Sequence, residues 1–267
     1  MSLKSKVLII IILLISAGIT ANQVYDRYFS EDESRFQWPE KVEIPCQPDS
    51  EDYACENYIQ LNSTPVKTVK HPMNEEIWIA ELDGKISSWD GQVLKQIGNI
   101  SQVISRCHNE QGLLGFEFTH DFDTSNEILI SYTGDIDCDG GADLSNVMVS
   151  SIEFNEGNLA MDTLVELRIL EKQNRNHNGG NLHSLGDGTY LWSVGDGGGS
   201  SDPYGNGQNI HTPLGTIQYF SYNNKTIQPV LDNYQNASDY VLHHGLRNPW
   251  KFDVDNENRL WIADVGQ

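Results

Sequence analysis

Basic side chains are scarce in this chain. Its 267 residues hold 17 Lys and Arg against 38 Asp and Glu, a formal net charge of −21. A surface of that sign repels phosphate, which excludes nucleic acid and anionic lipid as main partners. The acids read as a solvated surface, with clustering around Ca²⁺ as the alternative. Methionine is rare, at 4, and cysteine numbers only 4. No two cysteines stand in the C-x₂-C spacing of a zinc site. Beyond the N-terminus no stretch carries a helical period of about 10 residues or more, so bundles and helix-covered parallel sheets are excluded. No apolar run reaches the ~20 residues that span a bilayer.

The longest apolar run is Val7–Ile19, preceded by Lys4 and Lys6 and followed by Thr20, Ala21 and Asn22. A basic start with a short apolar stretch reads as a secretory signal over 1–21, cleaved after Ala21. An uncleaved anchor is the alternative, and the only membrane attachment expected. The expected location is the periplasm or outside the cell. In such an oxidising compartment an even cysteine count implies two disulfides. Cys46–Cys55 would staple a polar loop and Cys107–Cys138 would join neighbouring loops. Four cysteines allow three pairings.

Residues 22–65 are polar, acidic and weakly periodic, and read as an arm. From about residue 66 a pattern recurs: a turn residue, then a short strand of β-branched and aromatic side chains, often closing on Gly or Asp. Its instances are Asn74–Ala80, Asn126–Tyr132, Gly188–Asp196 and Asn258–Gly266. The aligned positions Trp78, Leu129, Trp192 and Trp261 lie about 50 to 70 residues apart, one four-stranded blade plus loops. Further strands are expected at Gly115–Phe118, Asn146–Phe154, Thr163–Leu170, Leu214–Phe220 and Lys251–Val254. The fold predicted over 66–267 is an all-β propeller, of which this chain holds about three and a half blades. A β-sandwich does not predict the long period. Trp78, Trp192 and Trp261 are expected in the blade core. A propeller closes on itself, so the chain reads as an N-terminal fragment.

Three loops carry candidate chemistry. One is Glu110–Phe122, containing GLLGF. The second is NHNGGNL (Asn176–Leu182), continued through VGDGG (Val194–Gly198). The third is GLRNPW (Gly245–Trp250), continued through ADVGQ (Ala263–Gln267). Glycines let backbone approach a ligand closely. With these motifs in this order, the chain resembles the glucose/sorbosone dehydrogenase family. These are six-bladed propellers that include the quinoprotein glucose and aldose sugar dehydrogenases and Hedgehog-interacting-protein relatives. The resemblance implies oxidation of an aldose at its C1 hydroxyl, with pyrroloquinoline quinone (PQQ) and Ca²⁺ as cofactors. Its partners would be a sugar and an unidentified electron acceptor.

On that resemblance His177 is the general base and Asp196 the carboxylate that orients it. Arg247 is the cation beside the quinone oxygens. Asn248 is an adjoining cofactor contact, and the backbone of Gly266 and Gln267 holds Ca²⁺. Glu110 stands where glucose dehydrogenases proper carry a glutamine near the cofactor. Gln111 is a substitute whose side chain points the other way in an extended segment. His183, His211, His243 and His244 read as structural or solvent-facing.

Independently of the family, Asp135, Asp137, Asp139 and Asp143 occupy positions 1, 3, 5 and 9 of a loop with Gly140 at position 6, the start of an EF-hand-like Ca²⁺ loop. Position 12 is Asn146, and an acidic hairpin tip is the competing reading. Two other functions compete with the dehydrogenase. One is a non-catalytic, Ca²⁺-stabilised propeller that binds a protein or glycan. The other is a lactonase-like Ca²⁺-dependent hydrolase.

Overall fold

The structure is a computed structural model and describes residues 58–134, 145–230 and 237–266. The proposed signal, residues 22–57 of the arm, Cys46, Cys55, Cys138, the Asp135–Asp143 loop and Gln267 lie outside the described residues. Cys107 is disulfide-bonded. Among the described residues no helix is long and apolar enough to cross a membrane.

Four antiparallel sheets follow one another along the chain. The first contains β1 (Pro65–Lys70), β2 (Ile77–Glu81), β3 (Lys85–Trp89) and β4 (Leu94–Asn99). The second contains β5 (Leu113–Phe118), β6 (Glu127–Thr133), β7 (Ser145–Asn155) and β8 (Asn158–Lys172). The third contains β9 (Gly179–Ser184), β10 (Thr189–Val194), β11 (Thr216–Asn223) and β12 (Thr226–Pro229), and β13 (Val241–His244) also pairs with β11. The fourth is the hairpin of β14 (Pro249–Val254) and β15 (Leu260–Asp264). A single helical turn, α1 (Phe122–Ser125), ends on Asn126 in the left-handed conformation.

The first strands of the sheets, β1, β5, β9 and β14, are successive neighbours in space. They are therefore inner strands, and the sheets radiate from them as blades. Among the described residues two four-stranded blades, one five-stranded blade and one two-stranded blade make a partial β-propeller, as the long repeat predicts. Each recurring motif falls on the second strand of its blade, β2, β6, β10 or β15. Trp78 and Trp192 are buried there. The Trp192 indole donates to Ser131 Oγ at 2.9 Å, tying the third blade to the second. Trp78 packs with Phe118 and Phe154 at ring separations of 4.9 and 4.7 Å. Burying such a side chain contributes about 1.5 to 3 kcal/mol, so blade-to-blade packing is the main source of cohesion.

Trp261 departs from this pattern. It is 62 % exposed, although its position in the repeat predicts blade core. Among the described residues β15 has no strand on its outer side, so the indole is not covered. Its Nε1 instead donates to Asp255 at 2.8 Å, and Arg259 stacks over the ring. Six strands escaped the sequence pattern: β1, β3, β4, β9, β12 and β13. Most are half-polar or short, without the aromatic and β-branched run that marks the second strands. Strand β9 carries the motif glycines. Inner strands β5 and β9 come so close that a Cβ on Gly115 would lie 2.6 Å from the Gly180 carbonyl oxygen, which explains the second glycine of GLLGF.

Candidate active site

At one end of the inner strands, loops from three blades meet in a rim. Residues 110–112 lead into β5, 177–178 into β9 and 247–248 into β14, while 195–198 leave β10.

His177 is the centre of the rim. Its side chain is buried, and Nδ1 lies 2.7 Å from Asp196 Oδ1. With the carboxylate accepting, Nδ1 carries the hydrogen and Nε2 is the basic nitrogen. The backbone of His177 has φ +52°, in the left-handed region that only a few per cent of non-glycine residues adopt. Two contacts hold it there. Its N–H donates to Glu110 Oε2 at 2.7 Å. Its carbonyl abuts Gly195, where a Cβ would lie 1.9 Å from the His177 oxygen. The first glycine of VGDGG is therefore required because two backbone segments touch there.

Asp196 is fixed from four directions. Oδ1 also accepts the Gly198 N–H at 2.9 Å. Its own N–H donates to the Arg247 carbonyl at 2.8 Å, and its carbonyl accepts from Asn206 Nδ2 at 2.7 Å. The imidazole thus rests against a carboxylate that has little freedom to turn. Beneath the His177 loop, the buried Lys172 at the end of β8 donates to the Asn174 carbonyl and to the Asn176 carbonyl, the latter at 2.8 Å.

Asn248 is the clamp between blades. It is buried; Oδ1 accepts the Gly179 N–H at 3.1 Å and Nδ2 donates to Glu110 Oε2 at 3.0 Å. One oxygen of Glu110 therefore receives both His177 and Asn248. Asn178 Nδ2 adds a bond to the Glu110 carbonyl at 3.0 Å. Gln111 points elsewhere: it is buried and accepts from Ser105 Oγ at 3.0 Å. The structure thus joins Glu110 to His177 and Asn248 and leaves Gln111 out of the rim.

Arg247 is half-buried. Its Nη1 donates to the Val265 carbonyl at 2.8 Å, while Nε is buried with no acceptor among the described residues. The carboxylate of Asp264 accepts both the Arg247 N–H, at 3.0 Å, and the Asn248 N–H, at 2.7 Å. Sequence reasoning did not assign Asp264, Asn206, Asn178 or Lys172. The first lies inside the ADVGQ motif, so the motif held the signal, but its role as a backbone cap is visible only in three dimensions.

Of the expected Ca²⁺ ligands only Gly266 lies within the described residues, and it is exposed. Among those residues no three His, Cys, Asp or Glu side chains gather as metal ligands would. His183 lies at the far end of β9 from His177, with Nδ1 3.3 Å from Asp253 Oδ1.

The fold is shared with known enzymes. The soluble aldose sugar dehydrogenase of Escherichia coli, in its apo form, superposes with a TM-score of 0.60 at 18% identity, over 76% of this chain and 58% of the enzyme. The PQQ-bound aldose sugar dehydrogenase of Streptomyces coelicolor gives 0.62 at 18% identity, over 79% of this chain and 59% of that protein. An oxidoreductase of Thermus thermophilus, described as a glucose dehydrogenase, gives 0.58 at 19% identity, over 75% and 56%. At such identities the likeness establishes the fold, and this chain spans less than two thirds of each relative. The family model described as Glucose / Sorbosone dehydrogenase matches residues 63–267. On that match, which includes every rim residue described above, the chain belongs to the glucose/sorbosone dehydrogenase family.

Proposed function

We propose that this chain carries the proton-handling part of a PQQ-dependent sugar dehydrogenase, which oxidises an aldose at its C1 hydroxyl. The observation that carries the reading is the buried His177–Asp196 pair at 2.7 Å, set in a rim with Arg247 and Asn248. The donor set fits an oxygen-rich anionic cofactor, because Arg247 brings a guanidinium whose buried Nε lacks an acceptor. Arg247 would hold the quinone, with the second Nδ2 hydrogen of Asn248 beside it. When bound, the quinone supplies the hydride acceptor. A Ca²⁺ ion would be held through the backbone carbonyls of Gly266 and Gln267.

The chain's own residues have defined tasks. His177 Nε2 takes the proton of the C1 hydroxyl, since Nδ1 is committed to Asp196. Asp196 stabilises the imidazolium that forms and keeps the ring from rotating. Glu110 and Gly195 hold the His177 backbone in its left-handed turn, so that the base is placed before substrate arrives. Arg247 sets a fixed positive charge at the rim, where negative charge develops on oxygen. We further read the protein as exported by its first 21 residues, with the electron acceptor outside the chain.

The test is a titration with PQQ and Ca²⁺, followed by dye-linked oxidation of aldoses. Quinone uptake with turnover that His177→Ala abolishes is the expected result. Absence of quinone uptake by the protein, including its longest natural form, overturns the reading.

A further inference from the structure

At the end of the inner strands away from the rim lies a second cavity, of about 440 Å³. On β9, His183 stands four residues beyond Gly179, about 13 Å along an extended strand. Lys67 of β1, Glu117 of β5, Asn181 and His183 of β9, and Lys251 and Asp253 of β14 line the cavity. Its volume suits a small organic ligand.

Two lysines meet there in unequal surroundings. Lys67 donates to the Leu182 carbonyl at 2.8 Å and has Glu117 at 3.9 Å. Among the described residues Lys251 has no carboxylate partner in an ion pair. Its Nζ donates to the Leu114 carbonyl at 3.2 Å and sits 5.3 Å from the centre of the Trp250 ring. Burial, assisted by the neighbouring Lys67 charge, pushes its ammonium down to about 7. Desolvation and an adjacent cation are the two conditions that turn a lysine into a nucleophilic amine. Across the same cavity, Asn181 is buried and spends Nδ2 on the Phe252 carbonyl at 2.9 Å, while its Oδ1 has no partner among the described residues. A buried acceptor without a donor costs about 1 to 3 kcal/mol unless a ligand or water supplies one.

We propose that Lys251 is a carbonyl-reactive lysine: its amine condenses reversibly with a small hydroxylated aldehyde or ketone in this cavity, and Asn181 Oδ1 accepts a hydroxyl hydrogen of that compound. The amine lone pair attacks the carbonyl carbon and forms the C–N bond as the C=O π bond breaks, and one nitrogen proton passes to the oxygen to make a hydroxyl. Loss of that hydroxyl as water, taking the second nitrogen proton, leaves the C=N bond of the imine. No oxidant or reductant enters. Glu117, Asp253 and His183 line the same cavity and would relay the protons, while burial, assisted by the Lys67 charge, favours the neutral amine. The inference does not rest on the reading of the His177 rim.

The test treats the full chain with glyceraldehyde at pH 7, traps imines with cyanoborohydride and maps the labelled lysines by mass spectrometry. Lys251 should react at least about tenfold faster than the exposed Lys70, because burial and the neighbouring Lys67 cation lower its ammonium to about 7 and leave a large share of its amine unprotonated at that pH. Equal or slower labelling of Lys251 overturns the proposal, and that measurement needs no variant. Lys67→Met, checked for folding by circular dichroism, should slow the labelling of Lys251 several-fold by removing the adjacent cation. An unchanged or faster rate in the folded variant also overturns it.

Discussion

Replacing Asn248 with aspartate isolates the clamp at the centre of the rim. The new carboxylate keeps the acceptor for the Gly179 N–H but loses the donor that meets Glu110 Oε2 at 3.0 Å. Two carboxylates would then face each other at that distance. At an effective dielectric near 20, their repulsion is about 5.5 kcal/mol. The protein relieves it by keeping one proton between them. Holding that proton at pH 7, against an ordinary carboxyl value of about 4.3, costs roughly 3 to 4 kcal/mol. The sign follows from the bound proton. The folded variant binds more protons than the unfolded chain between about pH 4 and 8, so its stability falls as pH rises through that window. Urea denaturation at pH 5 and pH 8 should therefore show Asn248→Asp losing most of its stability at the higher pH. Asn248→Ala should lose about 2 to 5 kcal/mol from two unpaired partners, with little dependence on pH. Adding Glu110→Gln to Asn248→Asp should remove most of the pH dependence, since only one carboxylate then remains at the clamp, but should restore only part of the stability, because an amide nitrogen donating from the Oε2 position would face the His177 N–H that Oε2 accepts at 2.7 Å. If Asn248→Asp is as stable as the parent at pH 8, or if Glu110→Gln leaves its pH dependence in place, the clamp as described is wrong.

Gly195→Ala should be among the most disruptive small substitutions, because its methyl would lie 1.9 Å from the His177 carbonyl oxygen and 3.2 Å from that of Arg247; expression yield and thermal melting report it, with Gly266→Ala, which meets nothing within 4 Å, as the control. Lys251 carries a value lowered to about 7 in the folded state, so the unfolded chain binds the extra proton between about pH 7 and 10.4. Stability should climb with pH across that range, by at most about 1.4 kcal/mol per unit, and Lys251→Met should flatten the climb. Trp192→Ala should cost about 3 to 5 kcal/mol, whereas Trp261→Ala should cost under about 0.5 kcal/mol; acrylamide should quench the Trp261 fluorescence and spare that of Trp192.

The propeller was legible because its second strands repeat. Trp78, Leu129 and Trp192 are buried on both sides, and that demand writes an apolar run into the sequence at a long period. Trp261 obeys the same pattern yet is exposed, since a repeat records where a strand stands in its blade and not whether a further strand covers it. The inner strand β9 was not legible. Its glycines look like a turn, and only the approach of Gly115 to the Gly180 carbonyl shows why a strand needs them. His177 and Asp196 were recognisable as a pair from motifs 19 residues apart. The double load on Glu110 Oε2 was not, because it depends on Asn248, and no local pattern relates positions so distant.

That distance also sets a schedule. The Glu110–Asn248 bond joins positions 138 residues apart. At the ordinary pace of about 5 to 20 residues per second, a ribosome needs on the order of 7 to 28 seconds to travel between them. During that interval the second blade emerges and, with the first, becomes available to fold, while Glu110 lacks the amide it will hold. The rim is thus completed only after those blades have been synthesised. A chaperone or protease that samples the nascent chain meets finished sheets beside an unfinished rim.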